Sequence, residues 1–211
     1  MRIVSICLLL LTMLCPVEAQ SLMRDWLIAM PDSVMPLLTK NNRLDFVDFH
    51  DCGMEAKVTN LLDGKSSMDT LTDDYVHIDY TKTTTVDMKL LAVNDTTDVL
   101  CMVTTVKSSV EDSRIAFFDS QWRSLGTSAF LKEPNMNDFR LAVQGDSAEL
   151  AWAKMDVFFR TYHLAAGEET LKCEITSMDF LSDTDRMDVN PYVRKEPIVY
   201  RWNNSEFIRD E

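Results

Sequence analysis

Residues 86–106 read VDMKLLAVNDTTDVLCMVTTV. Two runs of β-branched and large apolar residues flank NDTTD. An Asn/Asp/Thr cluster between such runs predicts two antiparallel strands joined by a hairpin loop. Upstream, DYVHIDY (74–80) alternates Val76, Ile78 and Tyr80 against Tyr75, His77 and Asp79, the period of a strand with one buried face. Downstream, RIAFF (114–118) predicts a third strand, which turns at DSQ into WRSL. Residues 127–145 read as loop and short helix. MDVFFRTYHLA (155–165) alternates again, and the turn AAGEE leads into TLKCEITSM (170–178). SDTDRMDV (182–189) predicts a short helix, because Ser182 and Asp185 have capping-box spacing. Pro191 ends it, and PIVYRW and EFI close the chain around NNS.

Two stretches repeat. CMVTTV (101–106) aligns with CEITSM (173–178), and IAFFDSQW (115–122) with IVYRWNNSEF (198–207). The alignment predicts two similar three-stranded antiparallel meanders, about 75–125 and about 153–208, with a helical insertion in the second copy. Cys101 and Cys173 would hold equivalent positions. The competing reading is that any two half-buried meanders share β-branched residues.

The stretch before the meanders, about 25–63, reads as helical. Asp25 is a candidate cap for WLIAM, Pro31 its end, Asp32 a cap for DSVMPLL with Pro36 in the first turn, and Asn41 or Asn42 a cap for the next helix. Gly53 is the C-terminal stop, residues 54–62 are a further turn of helix or a strand, and DGK (63–65) is a turn.

The first residues predict export. Arg2 precedes an apolar run, Ile3 to Cys15, too short to span a membrane. Pro16 breaks it, and Val17 and Ala19 place small residues before a cleavage site at Gln20. The expected organisation is a signal peptide at 1–19 and a single α+β domain at 20–211. Leu14 and Ile6 precede Cys15 and Cys7, which argues against a lipoprotein; the expected location is periplasmic or extracellular. No later apolar run is long enough to cross a membrane. With 34 acidic against 21 basic residues and a formal charge of −13, nucleic acid and anionic membrane surfaces are disfavoured. After cleavage Cys52, Cys101 and Cys173 remain, so at most one internal disulfide can form, and the sequence does not choose the pair.

A resemblance joins these parts. MPDSVMPLL (30–38), NRLDFVDFHDCGMEAKVTN (42–60), LTDDY (71–75), MKLLAVNDTTDV (88–99) and IVYRWNNSEF (198–207) occur in the order seen in secreted proteins of Bacteroides-type bacteria. The chain resembles that family, domain of unknown function family 3256. The resemblance implies export in a Gram-negative cell and no activity. Such bacteria attach O-glycans at Asp-(Ser/Thr) motifs followed by an apolar residue or Thr. Thr96, Ser33, Thr70 and Ser147 fit the pattern, Thr96 on the most exposed loop; each motif is also an ordinary cap or turn.

DFVDFHDC (45–52) is the densest chemical stretch. On a helix, Asp45, Asp48 and Cys52 share one face, while Phe46, Phe49 and His50 point to the packed side. Carboxylates on a rigid helix face, apart from the imidazole, make neither a transition-metal nor a calcium site, so a solvated acidic face is the default reading. Asp48, His50 and Cys52 stand as weak metal candidates, and no metal or cofactor is expected. The chain's three histidines, His50, His77 and His163, have no ligand spacing, and His77 and His163 read as packing or surface residues. GxSxG is absent, five glycines leave no phosphate-cradling loop, and Met187 sits where an EF-hand needs an oxygen. Trp122, Trp202 and Phe207 near turns would form either an aromatic ligand strip or the covering of a sheet end.

The expected protein is thus α+β, an N-terminal helical segment packed on antiparallel sheet made of two meanders. It is expected to be a non-catalytic exported module that binds an envelope protein or a glycan. The alternative is a hydrolase or metal-dependent enzyme whose site is assembled from distant residues.

Overall fold

Burial decides how the strands are used. The computed structural model describes residues 22–210, so the leader and cleavage site expected within 1–20 lie outside the described residues. Seven strands form one antiparallel sheet in chain order: β1 (Ala56–Thr59), β2 (Lys65–Leu71), β3 (Tyr75–Thr81), β4 (Thr84–Asn94), β5 (Thr97–Lys107), β6 (Glu111–Phe118) and β7 (Ser124–Leu125). Four more form a second antiparallel sheet: β8 (Arg160–His163), β9 (Thr170–Ile175), β10 (Ile198–Trp202) and β11 (Phe207–Arg209). The protein is α+β, with α1 (Met23–Ala29), α2 (Lys40–Asp51), α3 (Asp146–Trp152) and α4 (Asp183–Val189).

The large sheet is buried on both faces at β4 and β5. Val86, Met88, Leu90, Leu100 and Met102 join Trp26, Leu27, Phe46 and Val47 of the two N-terminal helices in one core. The alternate residues Leu91, Val99, Cys101 and Val103 join Tyr162, Leu171, Cys173 and Tyr200 of the small sheet in another. Strands covered on both sides lose the polar-out half of the alternation, which is why VLCMV is continuously apolar.

The expectation of one sheet built from two three-stranded meanders is corrected here to two sheets of seven and four strands. The repeated motifs do fall in successive strands of each sheet, but their registers differ. Cys101 pairs with Phe117, whereas Cys173 pairs with Ile198, two residues from the partner that the alignment demands. A two-residue slip keeps each side chain on its face, so composition alone does not reveal it. Both motifs turn on an Asx side chain: Asp119 Oδ1 accepts from the Gln121 and Arg123 N–H, and Asn203 Oδ1 from the Ser205 and Glu206 N–H.

The helical segment also differs from expectation. α1 starts at Met23, leaving Asp25 inside its first turn instead of at the cap. DSVMPLL forms turns and no helix. Pro36 biases Met35 away from helical backbone, and Asp32 spends its carboxylate on Arg43. The cap of α2 is Thr39, not Asn41 or Asn42; Asn42 closes a reciprocal capping box with it. Gly53 stops this helix with φ +66°, a conformation that favours glycine. Residues 56–59 are strand, and β2, too polar to read as one, follows the turn at Asn60–Gly64. Ser182 caps α4 as expected, accepting from the Asp185 N–H.

Arg43 holds the helical segment together. Only 1% exposed, its guanidinium donates to the carbonyls of Leu27, Met30 and Leu38 and to Asp32 Oδ1. The end of α1 and the turns that follow it thereby share one planar donor. Arg43→Ala strands three carbonyls, each costing roughly 1–3 kcal/mol when buried without a partner. Urea unfolding of this variant should show a loss of about 3 kcal/mol or more, and a loss below about 1 kcal/mol contradicts this role.

Candidate functional site

The small sheet is narrower than the sheet it covers. Its β8 packs on β6 and β5, and the joint is stitched by side chains. The Tyr162 N–H donates to Ser113 Oγ at 3.1 Å, the Thr176 hydroxyl to the Glu111 carbonyl, and Trp202 Nε1–H to the Ala92 carbonyl at 2.7 Å. On the same face of β3 and β4, the residues farther from this joint carry Tyr75, His77, Asp79, Asp87 and Lys89. His77 and Asp87 pair across the strands, as do Tyr75 and Lys89. This polar strip ends in an open groove of about 830 Å³.

The groove runs over the β8–β9 turn between Lys89 and Asp74 on one side and Lys172, Val199 and Arg201 on the other. Alternation explains the small-sheet wall: Leu171, Cys173, Ile198 and Tyr200 point into the core, so Lys172, Val199 and Arg201 face out. The Lys89 side chain is only 2% exposed, and its ammonium donates to Asp74 Oδ2 at 2.7 Å and to the Ala165 carbonyl at 3.2 Å. Arg201 pairs with Asp210 at 2.8 Å and Lys172 with Glu168 at 3.4 Å. The Thr170 hydroxyl, with Lys172 behind it, lowers the Glu168 carboxyl below its ordinary value.

At the other end of the strip, Asp87 accepts from the Tyr75 hydroxyl and lies 2.7 Å from His77 Nδ1. The hydrogen bond to Asp87 raises the His77 pKa against the opposing effect of partial burial. One ligand atom from each of Asp69, His77 and Asp79 lies within 4.8 Å of the other two, the one such group of three among the described residues.

The helix candidates do not converge. Asp48, His50 and Cys52 are all exposed, Cys52 as the C-cap of α2, and His50 faces solvent instead of the packed side. The nearest acid to His50 is Asp51 at 3.6 Å, itself paired with Arg24 and lowered by that bond. Of the candidate glycan acceptors, Thr96, Ser33 and Ser147 are exposed, and Thr70 is half-buried in β2. Trp122, Trp202 and Phe207 are buried, so they cover sheet ends and form no ligand strip. His163 is exposed and bonded to the Thr161 hydroxyl.

His77 went unrecognised because its partners come from three strands. The usable signal was His77 and Asp79 at i, i+2 on one strand, with Asp87 brought opposite by the turn at Lys82–Thr83. Asp69 had no signal because β2 is too polar to read as a strand; there it follows the core-facing Met68 and so lies on the face of His77, at a bulge before Thr70.

Compared with known proteins, residues 15–207 match the family described as Protein of unknown function (DUF3256). A domain of an uncharacterised protein from Porphyromonas gingivalis, of solved structure, is similar with a TM-score of 0.79 and 28% identity. The match covers 88% of this chain and 98% of that one. No curated protein matches.

The cysteines make a chemical check of this arrangement. Burial pushes the Cys173 thiol up to about 12, and burial, with the Asp87 charge, raises Cys101 further. Both are free and buried, and Cys52 is exposed. In the chain from Gln20 onward, Ellman's reagent at pH 8 should titrate one thiol natively and three in denaturant. Rapid reaction of a second thiol in the native protein contradicts the shared core. A count of one in denaturant means that two cysteines have paired.

Proposed function

The chain belongs to the DUF3256 family, and from its groove we propose an exported, non-catalytic binding module that takes a charged segment of an envelope protein. The observation that carries this reading is the groove itself. Lys172 and Arg201 stand there among Asp74, Glu168, Glu169 and Asp210, with Lys89 buried beneath, and no aromatic residue lines it. A mixed-charge surface of this kind selects a partner by complementary charge and sets its register. A glycan would call for an exposed aromatic platform, and the candidate aromatics are buried. Strand addition is disfavoured as well. The N–H groups of Arg160 and Tyr162 on edge strand β8 donate to Asp112 and Ser113, and the Phe207 N–H on β11 donates to the Phe130 carbonyl.

Export rests on Arg2, the apolar run to Cys15 and the small residues Val17 and Ala19. A periplasmic or extracellular location follows from that reading, in a bacterium of the Bacteroides type. No helix among the described residues is long and apolar enough to cross a membrane. Thr96, exposed on the β4–β5 turn, is the first position to inspect for an O-glycan. The competing reading, a metal-dependent enzyme, draws on the convergence of Asp69, His77 and Asp79. The described cysteines offer it no activated nucleophile in the core, since Cys101 and Cys173 are held as thiols.

The full-length chain expressed with a C-terminal tag should appear outside the cytoplasm with Gln20 as its first residue. Used as bait on envelope extract, it should capture a partner that 0.5 M salt weakens and that the double variant Lys172→Glu, Arg201→Glu loses. Capture of the same partner by the folded double variant contradicts the groove as the binding surface.

A further inference from the structure

We propose that Asp69, His77 and Asp79 hold a divalent transition-metal ion, with Asp87 as the residue that positions the imidazole. The three supply one nitrogen and two carboxylate ligands from neighbouring strands, each ligand atom within 4.8 Å of the others. His77 Nε2 already stands 3.9 Å from Asp79 Oδ1. Zinc bonds of about 2.0–2.2 Å bring adjacent ligand atoms to roughly 3–3.5 Å, so small side-chain rotations close the set. Asp69 is exposed and sits on a bulge, where such a rotation is unopposed by packing.

The stronger indication lies outside the triad. His77 Nδ1 is bonded to Asp87 at 2.7 Å, and Asp87 is in turn fixed by the Tyr75 hydroxyl. With the ring proton on Nδ1, the lone pair is left on Nε2, the atom 3.9 Å from Asp79 Oδ1. A histidine oriented through its other nitrogen by a carboxylate is the support that metal-bound histidines use. A surface histidine merely packed on a sheet has no need of a carboxylate that is itself held by a second side chain.

Electrostatics points the same way. Three carboxylates, Asp69, Asp79 and Asp87, surround one imidazole. The lysine farther along the strip, Lys89, is committed to Asp74 and the Ala165 carbonyl. Like charges on adjacent strands cost stability, and a divalent cation would offset that cost. The imidazole favours zinc over calcium, which needs six to eight oxygens. Three protein ligands leave a coordination position facing solvent, where water or a partner's side chain would complete the ion.

The test is calorimetric titration of ZnCl2 into the EDTA-treated, dialysed chain from Gln20 onward. The proposal expects one Zn2+ per chain, with calcium in tenfold excess failing to compete. Affinity should fall at least tenfold in His77→Gln, Asp79→Asn and Asp69→Asn, and about 10- to 100-fold in Asp87→Asn, where no direct ligand is lost. It should be unchanged in His50→Ala. Asp69→Asn changes an exposed side chain, so it keeps the test decisive should His77→Gln misfold. Absence of saturable binding overturns the proposal. So does one-to-one binding that survives Asp69→Asn and Asp79→Asn, or that disappears in His50→Ala.

Discussion

The structure depends on one constraint: the β4–β5 hairpin is buried on both faces by different partners. Val86, Met88 and Leu90 face the helical layer, and Leu91, Val99 and Val103 face the small sheet. Each large apolar side chain so buried contributes about 1.5–3 kcal/mol. Neither covering layer can leave without exposing half of the hairpin. The helices are locked to one another by the Arg43 guanidinium, and the small sheet is tied down at Ser113, Glu111 and Ala92. Both ties join side chains to backbone, so each fixes a layer's position as well as holding it there.

The functional reading follows from unequal widths. A four-stranded sheet covers part of a seven-stranded one, so on the same face β3 passes from buried Tyr75 to half-exposed His77 and Asp79, beside a polar β4 that stays buried at Lys89. Along it the residues change from Leu91 through Lys89 to Asp87, and from Tyr75 through His77 to Asp79. The two clusters of the strip are separate in chemistry. Lys89 and its neighbours make a mixed-charge wall beside the groove, and the His77 cluster is strongly acidic with one oriented imidazole. Much of the chain's negative charge is an ordinary solvated surface, as on α2. At Asp69, Asp79 and Asp87 the carboxylates converge instead of spreading.

Much of the fold was legible because it was written in local pattern. The NDTTD hairpin, the alternation of DYVHIDY, the Gly53 stop and the Ser182 cap each rest on a few adjacent residues. What escaped depended on partners far away in the chain. β2 hides in KSSMDTL because its Ser66 is satisfied by Asn60 and the Tyr80 carbonyl, a use of polarity that no period reveals. Thr39 outcompeted Asn41 and Asn42 as the cap because Pro36 had already ended the preceding segment in turns. The paired motifs correctly marked strands in both sheets, yet the slip between Cys101 and Cys173 is invisible when both registers bury the same face. The acids of DFVDFHDC are adjacent in sequence, but helical geometry separates them. The convergent set at His77 was dispersed over β2, β3 and β4, its third member on a strand too polar to read from sequence.

One hairpin joins both cores into a single cooperative unit and so fixes where the polar strip lies. Native-state hydrogen exchange measures this directly. The amides of Met88–Leu91 and Leu100–Val103 should exchange only through global unfolding, with one denaturant slope and one free energy shared with β9 and β10. An opening that releases β9 and β10 at lower free energy, while β4 and β5 stay protected, would contradict it.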